Sequence, residues 1–146
     1  MNALRISTDR GELDVDTIHR FLSEEAYWSP GIPRETVERA IAGSLCFGGY
    51  LDGAGQVAFA RVITDCATFA YLADVFVLPE HRGHGHGRAL VAAVVAHPDL
   101  QDLRRFMLAT SDAHALYASF GFEPAEPGKM MEIVLDDPYG AAATGH

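Results

Sequence analysis

Between Leu45 and Val77 the chain runs three strand-like stretches in succession: "LCFGGYL", "GQVAFARVIT" and "TFAYLADVFV". They are rich in aromatic and branched residues and are parted only by short turns at Asp52-Gly53 and around Asp65. Turns this short join strands in antiparallel order, because a parallel return needs a crossover of a dozen or more residues. A three-stranded antiparallel meander is therefore the frame that the rest of the chain must cover.

The flanking segments supply that cover. "ALRIS" (Ala3 to Ser7) alternates as a short strand, and Val15, Ile18, Phe21 and Leu22 fall on one helical face. Val37, Ala40 and Ile41 mark a second helix, with Pro33 near its start and Gly43 near its stop. Beyond the meander, Leu90, Val91, Val94 and Val95 repeat at helical spacing until His97, where Pro98 disfavours helix. "RFMLAT" reads as a strand, "SDAHALYASFGF" as a short helix stopped by Gly121, and "KMMEIVL" (Lys129 to Leu135) as a last strand. This order predicts one α+β domain over residues 1–135. The tail, 136–146, has no core-forming pattern and is expected to fray.

With 146 residues, 49% of them apolar, and a mean hydropathy of +0.05, the chain suits a packed soluble domain. No apolar run approaches the ~20 residues of a membrane span, and "MNALRISTDRGELD" lacks the order of a signal peptide, so a cytoplasmic protein is expected. Cys46 and Cys66 sit in apolar or small-residue stretches and read as reduced, structural thiols. A net charge of −9 argues against nucleic-acid or anionic-membrane partners and suits a cationic small substrate.

"PEHRGHGHGRALV" (Pro79 to Val91) needs a separate account. His81, His84 and His86 suggest a metal, but Arg82 and Arg88 repel a cation and the spacing is not that of zinc ligands, so no metal is assigned. A Walker loop would end in Gly-Lys-Ser or Gly-Lys-Thr, whereas Arg88 and Ala89 follow Gly87. A Rossmann loop would follow the first strand of a βαβ unit, and this one follows a meander. What remains is a strand entering and a helix leaving a glycine loop. There the amides of Gly83, His84, Gly85, His86, Gly87 and Arg88 can converge on an anion at the positive end of the helix dipole.

These residues resemble the GNAT superfamily of acetyl-CoA-dependent N-acetyltransferases, where a V-x-P strand end leads into R/Q-x-x-G-x-G/A and a helix. Here the match is Val77-Leu78-Pro79 followed by Arg82-Gly83-His84-Gly85-His86-Gly87. A second signature, a tyrosine before a Gly-Phe pair, matches "ALYASFGF" (Ala115 to Phe122). The likeness implies a mixed, mostly antiparallel central sheet flanked by helices and covers the chain except its tail. It also allows a homodimer, for which no stretch can be assigned as an interface.

The resemblance implies acetyl-CoA as cosubstrate, its pyrophosphate on the loop amides with Arg82 adding charge, and its pantetheine arm along the fourth strand. There Val77 would bond it through main-chain groups, and the amide of Val75 would face the thioester carbonyl. Tyr117 fits the acid that protonates the departing thiolate, since a phenol stays protonated at neutral pH. In some relatives an acidic residue stands where this chain has Tyr71, a cleft residue that cannot serve as a carboxylate base. Asp74 is the nearest carboxylate, with catalytic and structural readings both open, because strict alternation puts it on the face opposite Tyr71 unless a bulge re-aims it. Thr110 replaces an asparagine common near the cofactor. Tyr27 and Trp28, with Glu24 or Glu25, either wall a pocket for an amine or pack under a loop.

The expected activity is transfer of an acetyl group to a primary amine, on a small molecule or a peptide, by direct attack. The alternative is a noncatalytic acyl-CoA-binding sensor, which would keep the loop but have no need of Tyr117.

Overall fold

A computed structural model describes residues 3–140. Five strands form one sheet in sequential order: β1 (Arg5–Ser7), β2 (Leu45–Leu51), β3 (Gly55–Thr64), β4 (Phe69–Val77) and β5 (Arg105–Leu108). The first four are antiparallel neighbours, and β5 lies parallel to β4. The connection from β4 to β5 carries the crossover helix that a parallel return requires, α3 (His86–Ala96).

Most of β2 and β3 and, in β4, Ala70, Leu72 and Phe76 are buried, because both faces of the meander are covered. Phe47 on β2 meets His97 at the end of α3, with ring centroids 5.5 Å apart. On the other face Phe59 packs on Phe76, which stacks at 4.1 Å on Phe21. That side is closed by α1 (Val15–Arg20) and α2 (Arg34–Ala42), which bury Ile18, Val37 and Ile41. Leu90, Val91 and Val94 of α3 are wholly buried, each worth about 1.5–3 kcal/mol of transfer free energy. A last short helix, α4 (His114–Ala118), follows β5, and Gly121 (φ +97°) ends its turn in the left-handed region.

One expected element is present with a different geometry, and one expectation fails. The first helix does not run through evenly. Beyond Arg20 it widens into a π-helical turn, Phe21–Glu25, closed by Ala26 N–H on Phe21 O at 2.9 Å. Lys129 to Leu135 forms no strand, and Met131 and Ile133 stand 96% and 102% exposed. A strand needs a neighbour's backbone as well as propensity, and none lies beside this segment within the described chain. Within the tail, Tyr139 packs against the core. Residues 141–146 of the tail lie outside the described residues.

Candidate active site

The site begins where β4 and β5 part. Their ladder ends at Leu72 opposite Leu108, yet β4 continues to Val77, so a wedge opens between the strands. At that point β4 is bulged. Ala73 pairs with Arg61 and Phe76 with Phe59, which leaves Asp74 and Val75 together opposite Ala60, with Asp74 at φ +56°. The bulge turns Asp74 into the same cleft as Tyr71 and Val75, a cavity of about 1010 Å³.

Asp74 does not project freely. Its Oδ2 accepts from Arg61 Nε at 2.7 Å and its Oδ1 from Trp28 Nε1 at 2.9 Å, while Arg61 Nη1 also donates to Ser44 Oγ at 3.2 Å. Trp28 therefore reaches the sheet from the loop that the π turn pushes outward. The loop is held by Ser29 Oγ donating to Leu22 O at 2.7 Å and by Gly31 N–H on Ser23 O at 3.0 Å. Tyr27, 64% exposed, stands edge-on to Trp28 with centroids 5.0 Å apart. Its hydroxyl accepts from Ser111 Oγ at 2.8 Å, which ties this loop to the one after β5 across the cleft mouth.

Tyr117, on α4, is buried against Phe122 and lines the same cleft from the β5 side. Burial pushes its phenol above the ordinary value, and the acidic groups of Asp112 and Tyr27 push the same way. Thr110 serves this helix: its Oγ1 accepts from Ala113 N–H at 3.0 Å and fixes the turn into α4. His114 lies on a different groove, beyond β5.

At the other end of β4, Pro79–His81 makes one 3₁₀ turn and Gly83 and Gly85 adopt φ of +83° and +82°. The first bond into α3 runs from Ala89 N–H to Gly85 O at 3.1 Å, so the amides of His86, Gly87 and Arg88 have no intrahelical acceptor. A Cβ placed at Gly83 or Gly85 would meet nothing within 4 Å, and one at Gly87 would come no closer than 3.8 Å to Val77 Cγ2. The loop is thus bare backbone facing open space at a helix N-terminus, which suits a phosphate.

The side chains there are mostly engaged within the protein. Arg82 Nε donates to Val77 O at 2.9 Å, so the guanidinium sits on the carbonyl expected to meet pantetheine. Arg88 Nη1 donates to Ser119 Oγ at 2.9 Å and lies over Phe120, linking α3 to α4. The His86 side chain is buried, leaving its amide as the available group. Among the described residues no three His, Cys, Asp or Glu side chains gather as a metal site would require, and no helix is long and apolar enough to cross a membrane.

Residues 43–124, which span the meander, the glycine loop and α4, match the pattern of the acetyltransferase (GNAT) domain. The chain belongs to the GNAT acetyltransferase family. A GNAT-family protein of Xanthomonas campestris pv. campestris, known from its crystal structure, is 59% identical, with a TM-score of 0.91 over 95% of this chain and 98% of that one. Putative acetyltransferase FG08082 of Gibberella zeae is 38% identical over 133 residues, 77% of this chain and 74% of its own length. A Clostridium acetobutylicum protein solved with acetyl-CoA shares the fold at 16% identity, with a TM-score of 0.65 over 92% of this chain and 96% of its own.

In this GNAT chain the cleft also contains residues that sequence reasoning passed over. Asp112 and Tyr139 both line it, beside the expected Glu25, Tyr27, Trp28 and Tyr71. No periodicity marks either one. Asp112 sits in a loop, and Tyr139 comes from a segment with no regular structure. At the β3–β4 corner Asp65 and Thr68 form a turn lock, in which Asp65 Oδ2 accepts from Thr68 Oγ1 at 2.7 Å.

Proposed function

We propose that this chain moves an acetyl group from acetyl-CoA to a primary amine by direct attack, with Tyr117 as the acid. The observation that carries the reading is Tyr117 itself, a buried phenol across the cleft from the bulged Asp74–Val75 pair at the split between β4 and β5. Acetyl-CoA supplies an activated thioester. The residues present fit it: open space at Gly83 and Gly85 and the outward amides of His86 to Arg88 accept a pyrophosphate, with Arg82 alongside.

Each group then has a definite task. The amide of Val75, in the bulge, is the donor toward the carbonyl where charge develops. Tyr117 holds its proton through the neutral range, because burial disfavours the phenolate, and gives it to the thiolate that leaves. Asp74 orients Trp28 and Arg61: both of its oxygens already accept hydrogen bonds, and taking a proton would require one of those donors to give way. The amine loses its proton to water. Glu25 and Asp112 give the cleft an acidic lining, and Tyr27, Trp28, Tyr71 and Tyr139 give it aromatic walls, which together suit a cationic amine with an apolar body. Two free cysteines, one of them exposed, fit action in a reducing cytoplasm.

The test is acetyl-CoA-dependent thiol release measured over polyamines, aminoglycosides, arylamines, amino acids and peptides, with the wild type beside Tyr117→Phe. Release with at least one amine that falls in the variant supports the reading. Tight coenzyme A binding without release for any amine would instead make the chain a sensor.

A further inference from the structure

The sheet face that floors the cleft continues past it. Ile63 stands two residues beyond Arg61 on β3 and so shares its face; in register it pairs with Tyr71, which lines the cleft and pairs in turn with Met107. One step further out on the same face lie Phe69, diagonal to Ile63, and Arg105 opposite it. The alternate residues Val62, Ala70 and Leu72 point the other way and are buried. Cover on the cleft side stops near Arg61, whose Nη1 donates to Ser44 Oγ just past the end of α2. Beyond it Ile63 and Phe69 stand 43% and 38% exposed. They form an apolar shelf that joins the cleft at Tyr71.

We propose, on the transferase reading above, that the acceptor is a primary monoamine with a long apolar body, its nitrogen at the bulge beside Tyr117 and its body lying over Tyr71 to Ile63 and Phe69. From Ala73 at the bulge to Phe69 is four residues of β4, roughly 13 Å of extended strand. Along this line the protein offers side chains only. β3, β4 and β5 pair with one another there, so their N–H and C=O groups are taken up by the ladder and a peptide backbone would find none to bond.

Charge selects a single ammonium. Glu25 and Asp112 line the cleft, whereas Arg105 stands across from Phe69 at the far end of the shelf, with Arg104 beside it in sequence. Arg105 Nη1 donates to Met130 Sδ at 3.9 Å, a partner that carries no charge. A second ammonium at the end of the body, as in a polyamine, would lose water on the shelf and meet that guanidinium, while a methyl end would do neither.

The test measures kcat/KM for thiol release from acetyl-CoA with unbranched primary amines from propylamine to decylamine. Each methylene that reaches the shelf should raise it about threefold. Ile63→Thr with Phe69→Thr, at exposed strand positions that threonine suits, should keep the circular dichroism of the wild type and cut the ratio of decylamine to propylamine about tenfold. Octylamine should exceed the terminal diamine of the same length, also about tenfold. A series that stays flat with length overturns the shelf while leaving the transferase intact, and so does a ratio that the double variant leaves unchanged. A diamine that equals octylamine overturns the assignment of a monoamine. Thiol release from no amine of any length overturns the transferase reading itself, and the shelf with it.

Discussion

Arg61 Nε donates to Asp74 Oδ2 at 2.7 Å across the β3–β4 bulge, with both side chains largely buried, 16% and 11% exposed. The pair fixes the carboxylate on the β4 bulge and, through its other oxygen, fixes Trp28 as well. Removing one member of a buried pair strands the other charge, so Asp74→Ala is expected to cost about 3 kcal/mol in denaturant unfolding. Asp74→Asn should raise the acceptor KM more than it lowers kcat, because what it disturbs is the placement of Trp28. A fall in kcat with KM unchanged would make Asp74 the base instead.

Tyr117 is expected to act mainly on kcat. Tyr117→Phe keeps the ring packed on Phe122 and removes only the hydroxyl, so kcat should fall about 10²-fold with coenzyme A affinity nearly unchanged. The pH dependence follows from the upward shift. The acid form is the working one, so any alkaline loss of rate due to this group lies above the ordinary phenol value of about 10. Wild-type turnover in Tyr117→Phe, where chemistry limits the rate, would leave it as a packing residue.

The parts of this molecule legible in its sequence are those set by local pattern. β2 and β3 run over the residues that alternation and turn chemistry indicate, and α2 starts after Pro33 and stops at Gly43, because caps and hairpin turns act within a few residues. The glycine loop and Tyr117 were legible because a motif carries its own geometry. What stayed hidden depends on distant partners. Asp74 faces the cleft only because two residues of β4 oppose one of β3, Trp28 reaches it over 46 positions, and Ser111 reaches Tyr27 over 84. Lys129 to Leu135 shows the converse, since strand propensity says nothing about where the partner edge lies.

Asp65 gives a stability test with a pH signature. Its carboxylate accepts from the N–H and hydroxyl of Thr68 and from the N–H groups of Ala67 and Phe69, and these hold its pKa far below the ordinary carboxylate range. A depressed folded value means that the stabilisation is present above the unfolded value of about 3.9 and is lost as pH falls through the folded one. Asp65→Ala should therefore lower Tm at neutral pH, and the gap to wild type should narrow progressively in acid below about pH 4. A gap that stays constant into acid would mean that the carboxylate's charge plays no part in the turn.

Gly85 and Gly87 separate what the loop needs for folding from what it needs for binding. Gly85 sits at φ +82°, where a branched side chain is strained regardless of space, so Gly85→Val should itself destabilise the protein. Gly87 lies in the first turn of α3, and an added Cβ would make an ordinary contact at 3.8 Å, so Gly87→Val should fold with little loss. Its bulk would project beside the outward amides of the helix start, in the space assigned to pyrophosphate. Ligand binding to the folded state stabilises by RT ln(1 + [L]/Kd), about 2.7 kcal/mol at a hundredfold excess over Kd. Wild-type protein should show that rise as an upward Tm shift with coenzyme A, while Gly87→Val should keep its starting Tm and lose most of the shift. A full shift in Gly87→Val would move the pyrophosphate off this loop, and with it the assignment of the amides from His86 to Arg88.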